Sequence, residues 1–340
     1  MSPLPWHRAP LERLLASRGR LPHALLVHGR SGIGKLEFAR ALAAAVLCES
    51  PGSLIACGTC AACHWFSQGN HPDFREIFPE ALAEEQDEST ADEGARDEEQ
   101  RSSLVIRIEQ IRAMADFMAL TTHRAGLRVL VIRPADTLHP AAANALLKTL
   151  EEPPGATLIV LVSAQPMRLP ATLRSRCQSL ALAAPARESA LAWLHAEGVE
   201  GATTLLDCAG GAPLLARDLA NPEEMQLRQR VIGELARPGS AVTLGFTAGL
   251  DRDDLAHTLF WMQTWVHDLI QWRLAGEIRF HVASAAALRA CASRASVEAL
   301  FDLDRELTES RRLASHPLNP RLLAEHLVMA YNRATTGAGR

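Results

Sequence analysis

With 340 residues, 48% of them hydrophobic, the chain is long enough for two or three domains with sizeable cores, while apolar runs such as 157–162 are far too short to cross a bilayer. The opening Met1-Ser2-Pro3-Leu4-Pro5-Trp6 has no basic stretch leading into an apolar core and cleavage site, which predicts a cytoplasmic protein whose seven cysteines stay reduced and suit metal ligation better than disulfides. The net charge of −4 hides ten acids against the single Arg96 at 80–100, which leaves the remainder near +5, too mild an excess to argue for a nucleic-acid partner.

The first half alternates short apolar runs with helical patterns, the signature of a parallel sheet covered by helices on both faces. A first strand at 24–28 runs directly into Gly29-Arg30-Ser31-Gly32-Ile33-Gly34-Lys35-Leu36 and a helix over 36–47 rich in Ala and Leu. This is the spacing of a phosphate-binding loop. Gly29, Gly32 and Gly34 would let backbone N–H groups turn inward, the helix N-terminus would add partial positive charge, and Lys35 could reach terminal phosphates. The position that needs a hydroxyl for magnesium is Leu36, however, which cannot coordinate a hard cation.

Behind that helix Cys48, Cys57, Cys60 and Cys63 fall within sixteen residues as C-x8-C-x2-C-x2-C. Four thiolates can close a tetrahedral zinc site. Pro51, Gly52 and Gly58 supply the turns that return Cys48 to the group. With every ligand a protein sulfur, no position remains for water or substrate, so the metal is expected to be structural. An iron–sulfur cluster is the minor alternative, and His64 is read as an adjacent exposed histidine. Cys177, Cys208 and Cys291 are isolated and read as small buried hydrophobes.

A second strand is expected at 74–78. The acidic stretch that follows contains no aromatic residue and is read as a disordered surface insertion, unable to offset its ordering entropy. A helix over 108–120 carries Ile108, Ile111, Ala115 and Met118 on one face, and a third strand is expected at 129–132. P-loop ATPases place a metal-binding acid at the end of that strand, but here the chain reads Arg133-Pro134-Ala135-Asp136, with Asp136 read as the cap of the next helix. That helix, 141–152, stops at Pro153-Pro154-Gly155. Strands at 158–162 and, weakly, 179–182 complete the sheet. Two losses at the metal site predict no intrinsic ATP hydrolysis. Whether the remaining glycines and Lys35 hold a nucleotide passively is left open.

Beyond about 183 strand signals give way to helical periodicity: a small unit at 185–220, then helices near 226–237, 255–274 and 320–333. On the helix over 255–274, Leu255, Leu259, Met262, Val266 and Leu269 form one stripe, flanked by Trp261, Trp265 and Trp272. So wide an apolar face, with tryptophans read as exposed, predicts an oligomerisation domain.

Several segments carry a family resemblance: Pro22-His23-Ala24-Leu25-Leu26 before the loop, the four cysteines, Ala142-Ala143-Asn144-Ala145-Leu146-Leu147-Lys148-Thr149-Leu150-Glu151-Glu152-Pro153-Pro154, the Ser175-Arg176-Cys177 motif within 169–178, and Asn319-Pro320-Arg321-Leu322-Leu323-Ala324-Glu325. Together they resemble the delta prime subunits of bacterial DNA polymerase III clamp loaders, within the AAA+ family. The resemblance implies an AAA+ P-loop domain over 1–182, with the zinc module at 48–63 and a disordered acidic insertion at 80–101. A helical lid over 183–221 and an all-α oligomerisation (collar) domain over 222–336 would follow.

It further implies a hetero-oligomer with ATP-binding motor subunits and a delta subunit, acting on a sliding clamp and primed DNA as part of a DNA-directed DNA polymerase (nucleotidyltransferase) holoenzyme. Arg176 would then be an arginine finger acting in trans on the adjacent subunit's ATP, with Arg174 its nearest competitor, and Lys148 would face DNA phosphate. The lid segment Gly210-Gly211-Ala212-Pro213-Leu214-Leu215 has no arginine where hydrolysing relatives carry one, Arg217 being displaced, and the acidic insertion is not expected of the family. Two other readings are an active AAA+ motor subunit, opposed by Leu36 and Arg133-Pro134, and a zinc-dependent DNA-binding protein, opposed by the scarcity of basic and aromatic residues around Cys57–Cys63.

Overall fold

The computed structural model describes residues 3–50, 55–82, 104–119, 126–239, 250, 252–313 and 319–336. Nearly all of the acidic insertion, along with Pro51 and Gly52, lies outside these residues. The contacts divide the chain into two compact units, Met1–Pro185 and Ala186–Arg340.

The elements of the first unit are α1 (Arg8–Ala16), β1 (Ala24–His28), α2 (Lys35–Leu47), α3 (Ala61–Ser67), β2 (Phe74–Ile77), α4 (Ile108–Ala119), β3 (Arg128–Ile132), α5 (Pro140–Glu151), β4 (Thr157–Ser163), α6 (Ala171–Arg174) and β5 (Gln178–Ala181). The five strands form one parallel sheet in the order β2-β3-β4-β1-β5. Strands β3 and β4 are buried along their whole length, which is why they read as continuous apolar runs with no polar alternation.

One face packs Leu26, Leu130, Ile132, Ile159 and Leu161 against Ile111, Met114 and Met118 of α4 and against Ala142, Ala143, Leu146 and Leu150 of α5. Met114 takes the place expected for Ala115, which is exposed. The other face receives α2, which touches β1, β3 and β4. Alanines fill much of α2 and are buried with Phe38, Leu42 and Leu47, so small side chains let the helix lie close on the sheet. Arg18 donates from Nη2 to the Val46 carbonyl at 2.6 Å, placing a cation where the helix dipole is negative.

Helix α5 starts with Pro140 at its first turn, and the His139 ring accepts the Ala141 N–H at 3.2 Å. Asp136, expected to cap this helix, does not. Its Oδ1 instead accepts Ser163 Oγ at 2.6 Å and the Ala164 N–H at 3.2 Å at the end of β4. The neighbouring strand offers its carboxylate two donors, so a pairing across the sheet replaces the local one.

The second unit is helical: α7 (Arg187–Ala196), α8 (Ala202–Cys208), α9 (Pro213–Asp218), α10 (Pro222–Leu235), α11 (Arg252–Ala275), α12 (Ala285–Arg294), α13 (Val297–Leu313) and α14 (Pro320–Thr336). Helix α11 lies among α10, α12, α13 and α14. Its width of apolar surface is used internally, because Leu255, Leu259, Trp261, Met262, Trp265, Val266 and Leu269 are all buried.

Trp261 and Trp265 are therefore core residues and not the exposed interface side chains expected from the sequence. Each indole N–H has a buried partner: Trp261 donates to Glu224 Oε1 at 2.6 Å, and Trp265 to the Tyr331 hydroxyl at 2.9 Å, which itself donates to the Leu235 carbonyl at 2.6 Å. Trp272 is half-buried, with the Arg289 guanidinium over its ring at 4.7 Å. Arg279 ties the small helices to this bundle by donating to the Gly210 carbonyl at 3.1 Å.

Candidate functional site

The loop between β1 and α2 keeps the backbone of a phosphate cradle, with Gly32 and Gly34 at φ of 73° and 89°, a region that side chains other than glycine disfavour. At Gly34 a Cβ would also fall 2.4 Å from Leu4 Cδ1 and 2.8 Å from His7 Cε1, and at Gly29 one would fall 2.5 Å from the Leu182 carbonyl oxygen. The loop is thus packed from two sides. Trp6 strengthens the N-terminal contact by donating its indole N–H to the Ile33 carbonyl at 2.9 Å.

Lys35 is buried, and its Nζ donates to the Arg30 carbonyl at 2.7 Å within the same loop. Burial lowers its pKa, with the negative charges of Asp136 and Glu37 acting in the opposite direction. Leu36 stands half-buried at the start of α2 with no oxygen to offer a cation. Arg133, at the position where P-loop ATPases place a metal-binding acid, directly follows β3 and is joined to Pro134 by a cis bond. Its guanidinium pairs with Glu76 of β2 and lies 4.5 Å from the Phe78 ring centroid. Arg40 of α2 holds the same carboxylate through two hydrogen bonds, of 2.9 and 3.0 Å. The end of β3 therefore presents a cation committed to an internal ion pair where a magnesium ligand would be required.

The four cysteines converge. Cys48 caps the end of α2, Cys60 precedes α3, Cys63 lies in its first turn, and all four sulfurs lie within 4.8 Å of one another. Two pairs, Cys48–Cys60 and Cys57–Cys63, are 3.9 Å apart, close to the edge of about 3.8 Å that follows from zinc–sulfur bonds of about 2.3 Å in a tetrahedron.

Backbone N–H groups already point at the sulfurs: those of Cys57, Cys60 and Cys63 approach Cys48, Cys57 and Cys60 at 3.4, 3.3 and 3.4 Å. Such second contacts spread the charge of ligating thiolates. Hydrogen bonds from Ser50 and Thr59 hold the Cys57 thiol down at about 5, whereas burial pushes that of Cys63 up to about 12. A divalent cation among the four would favour the thiolate at every position, so the donor set fits a structural metal. His64 is exposed beside the cluster, while Cys208 and Cys291 are buried and Cys177 packs half-buried against the sheet core.

Arg176 lies in the turn between α6 and β5. Its Nε donates to Glu151 Oε1 at 2.7 Å, its Nη2 lies 2.5 Å from the same oxygen, and its Nη1 donates to the Thr172 carbonyl at 3.0 Å. The side chain stays 37% exposed. Arg174 is half-buried and turns its Nη1 to Met167 Sδ at 2.8 Å. Lys148 is exposed on α5, and Arg217 pairs with Asp218 at 3.0 Å.

The structure thus brings the loop glycines and Lys35 together, and separately the four thiols. Glu76 and Glu151 were missed as partners of the key arginines. Glu151 had one legible signal, an acid in the last turn of a helix, where the dipole disfavours it.

The family model described as DNA polymerase III, delta subunit, matches residues 10–186, and that of its C-terminal part matches residues 222–332. DNA polymerase III subunit delta prime of Yersinia pestis is 31% identical over 97% of this chain and 95% of its own length. The chain belongs to the delta prime subunit family of DNA polymerase III. The delta prime subunit of Pseudomonas aeruginosa is 36% identical, over 67% of this chain and 64% of that protein. A solved gamma subunit-related protein of Thermotoga maritima aligns over 96% of this delta prime chain and 99% of its own with a TM-score of 0.46 and 15% identity. Among the described residues no helix of this chain is long and apolar enough to cross a membrane.

Proposed function

We propose that this delta prime chain is the non-hydrolysing subunit of a clamp loader, supporting a neighbour's ATP site while the assembly places a sliding clamp on primed DNA. The observation that carries the reading is the contrast between its own loop and Arg176. At the loop Leu36 replaces a hydroxyl, Arg133 is turned onto Glu76, and Lys35 is bound to the Arg30 carbonyl, whereas Arg176 remains exposed. A chain that cannot place magnesium can still supply a guanidinium in trans, and such fingers are worth roughly 10³ to 10⁵ in rate.

In this reading the first unit contains an AAA+ domain over 1–182 with zinc on Cys48, Cys57, Cys60 and Cys63 as a structural clip, followed by a lid over 183–221, nearly all of it in the second unit, and a collar over 222–336. The partners are ATP-binding motor subunits and a delta subunit, with Lys148 facing DNA phosphate. The acid-rich insertion has no assigned part.

The test has two arms. Incubated alone with magnesium and ATP, with or without primed DNA, the chain should show no turnover, and robust turnover would make it a motor subunit instead. Returned to its cognate loader, Arg176→Ala should cut ATP turnover severely while the complex still assembles. Full turnover in that complex would remove the finger.

A further inference from the structure

We propose that Glu151 is a positioning residue for Arg176, gripping one edge of its guanidinium so that the remaining donors reach the neighbouring ATP in a fixed orientation. The inference rests on the finger reading above. A guanidinium carries five N–H donors in a rigid plane. Glu151 takes Nε and Nη2 through one carboxylate oxygen and Thr172 takes an Nη1 donor. These contacts constrain the plane and the reach of a side chain that would otherwise sample many rotamers, yet part of the fork stays accessible at 37% exposure.

Stability does not account for the pair. Glu151 is itself half exposed, and ion pairs of that kind contribute little to folding. Its place as the last residue of α5 sets a negative charge against the negative end of the helix, which is unfavourable without a cation beside it. Arg168 and Arg174, the other arginines of this surface segment, have no carboxylate partner among the described residues. The weakness of the pair also suits the task, because an arginine fixed by a strong buried pair could not share its remaining donors with a phosphate that gains charge in the transition state.

The decisive experiment is steady-state ATP hydrolysis, with primed DNA, by the cognate loader reassembled with variant delta prime chains. Glu151→Gln should lower kcat about fivefold, the rate equivalent of an exposed ion pair, with KM for ATP and the thermal unfolding midpoint unchanged, and Glu151→Asp should recover part of the loss by restoring a carboxylate. In an Arg176→Ala background Glu151→Gln should cost nothing further. Wild-type kcat in Glu151→Gln, or a loss that adds fully to that of Arg176→Ala, would overturn the positioning role and leave the finger standing. Wild-type kcat in Arg176→Ala would overturn both.

Discussion

Arg133 and Glu76 meet across the β3–β2 edge of the sheet, 12% and 9% exposed, with Arg40 of α2 on the second side of the carboxylate. The register pairs Glu76 with Val131, so Arg133, two positions further along, emerges on the same side of the sheet. At the strand end where P-loop ATPases carry a metal-binding acid, this chain has a clasp between β2, β3 and α2.

Arg133→Asp would set two carboxylates against each other in this half-dry site. With Arg40 still present to offset part of the repulsion, we expect the first unit to lose about 3 kcal/mol of stability, read by urea unfolding. The same variant should gain no magnesium-dependent ATP turnover, because Leu36 still offers no ligand.

Metal analysis should find one zinc per chain, lost in Cys60→Ser. Hydrogen exchange should then quicken through the residues around Cys57, Cys60 and α3, while α11 keeps its protection. Unaltered exchange after complete metal removal would show that the thiol cluster holds its shape unaided.

Tyr331→Phe removes a hydroxyl that serves Trp265 as acceptor and Leu235 as donor. The Trp265 indole N–H would be left unpaired and the Leu235 carbonyl would keep only the weak Cys291 thiol donor at 3.7 Å, with almost no change in volume and at a cost of about 2 kcal/mol. Equilibrium denaturation of the second unit would measure it.

Acidification should destabilise both units. Burial lowers His281 to about 3 and His7 to about 4, so each stays neutral in the folded chain while the unfolded chain takes up a proton below its ordinary value near 6.5. The unfolded state then binds more protons, and stability falls as the pH drops from about 6.5 toward the folded values, with about 2 kcal/mol per histidine already lost at pH 5. Denaturation of His281→Gln at pH 7 and pH 5 should show a shallower dependence in the second unit.

The sheet was legible because strands buried on both faces need apolar interiors, and β1, β3 and β4 have them at 24–27, 129–132 and 158–162, with polar residues only at their ends. The thiol cluster was legible because C-x2-C steps bring sulfurs together whatever surrounds them. What could not be read were pairings set by register and packing. Glu76 and Arg133 are 57 residues apart, and their meeting depends on the β2–β3 alignment. Asp136 sat within reach of a helix start, and nothing local marked Ser163 as the better partner. The tryptophans of α11 looked like surface because periodicity gives the width of an apolar face and not the number of helices that cover it. Arg176 has no periodic or compositional signal at all, and only the family resemblance singled it out.

The two indoles sealed inside the second unit give this chain an optical marker of its helical bundle. Trp261 and Trp265 have no exposed surface, whereas Trp6, Trp65, Trp193 and Trp272 are half-buried. Emission at short wavelength should therefore follow the bundle, and a quencher added to the solvent should act first on the other four tryptophans. Loosening of the bundle could then be watched in the native chain without attaching a label.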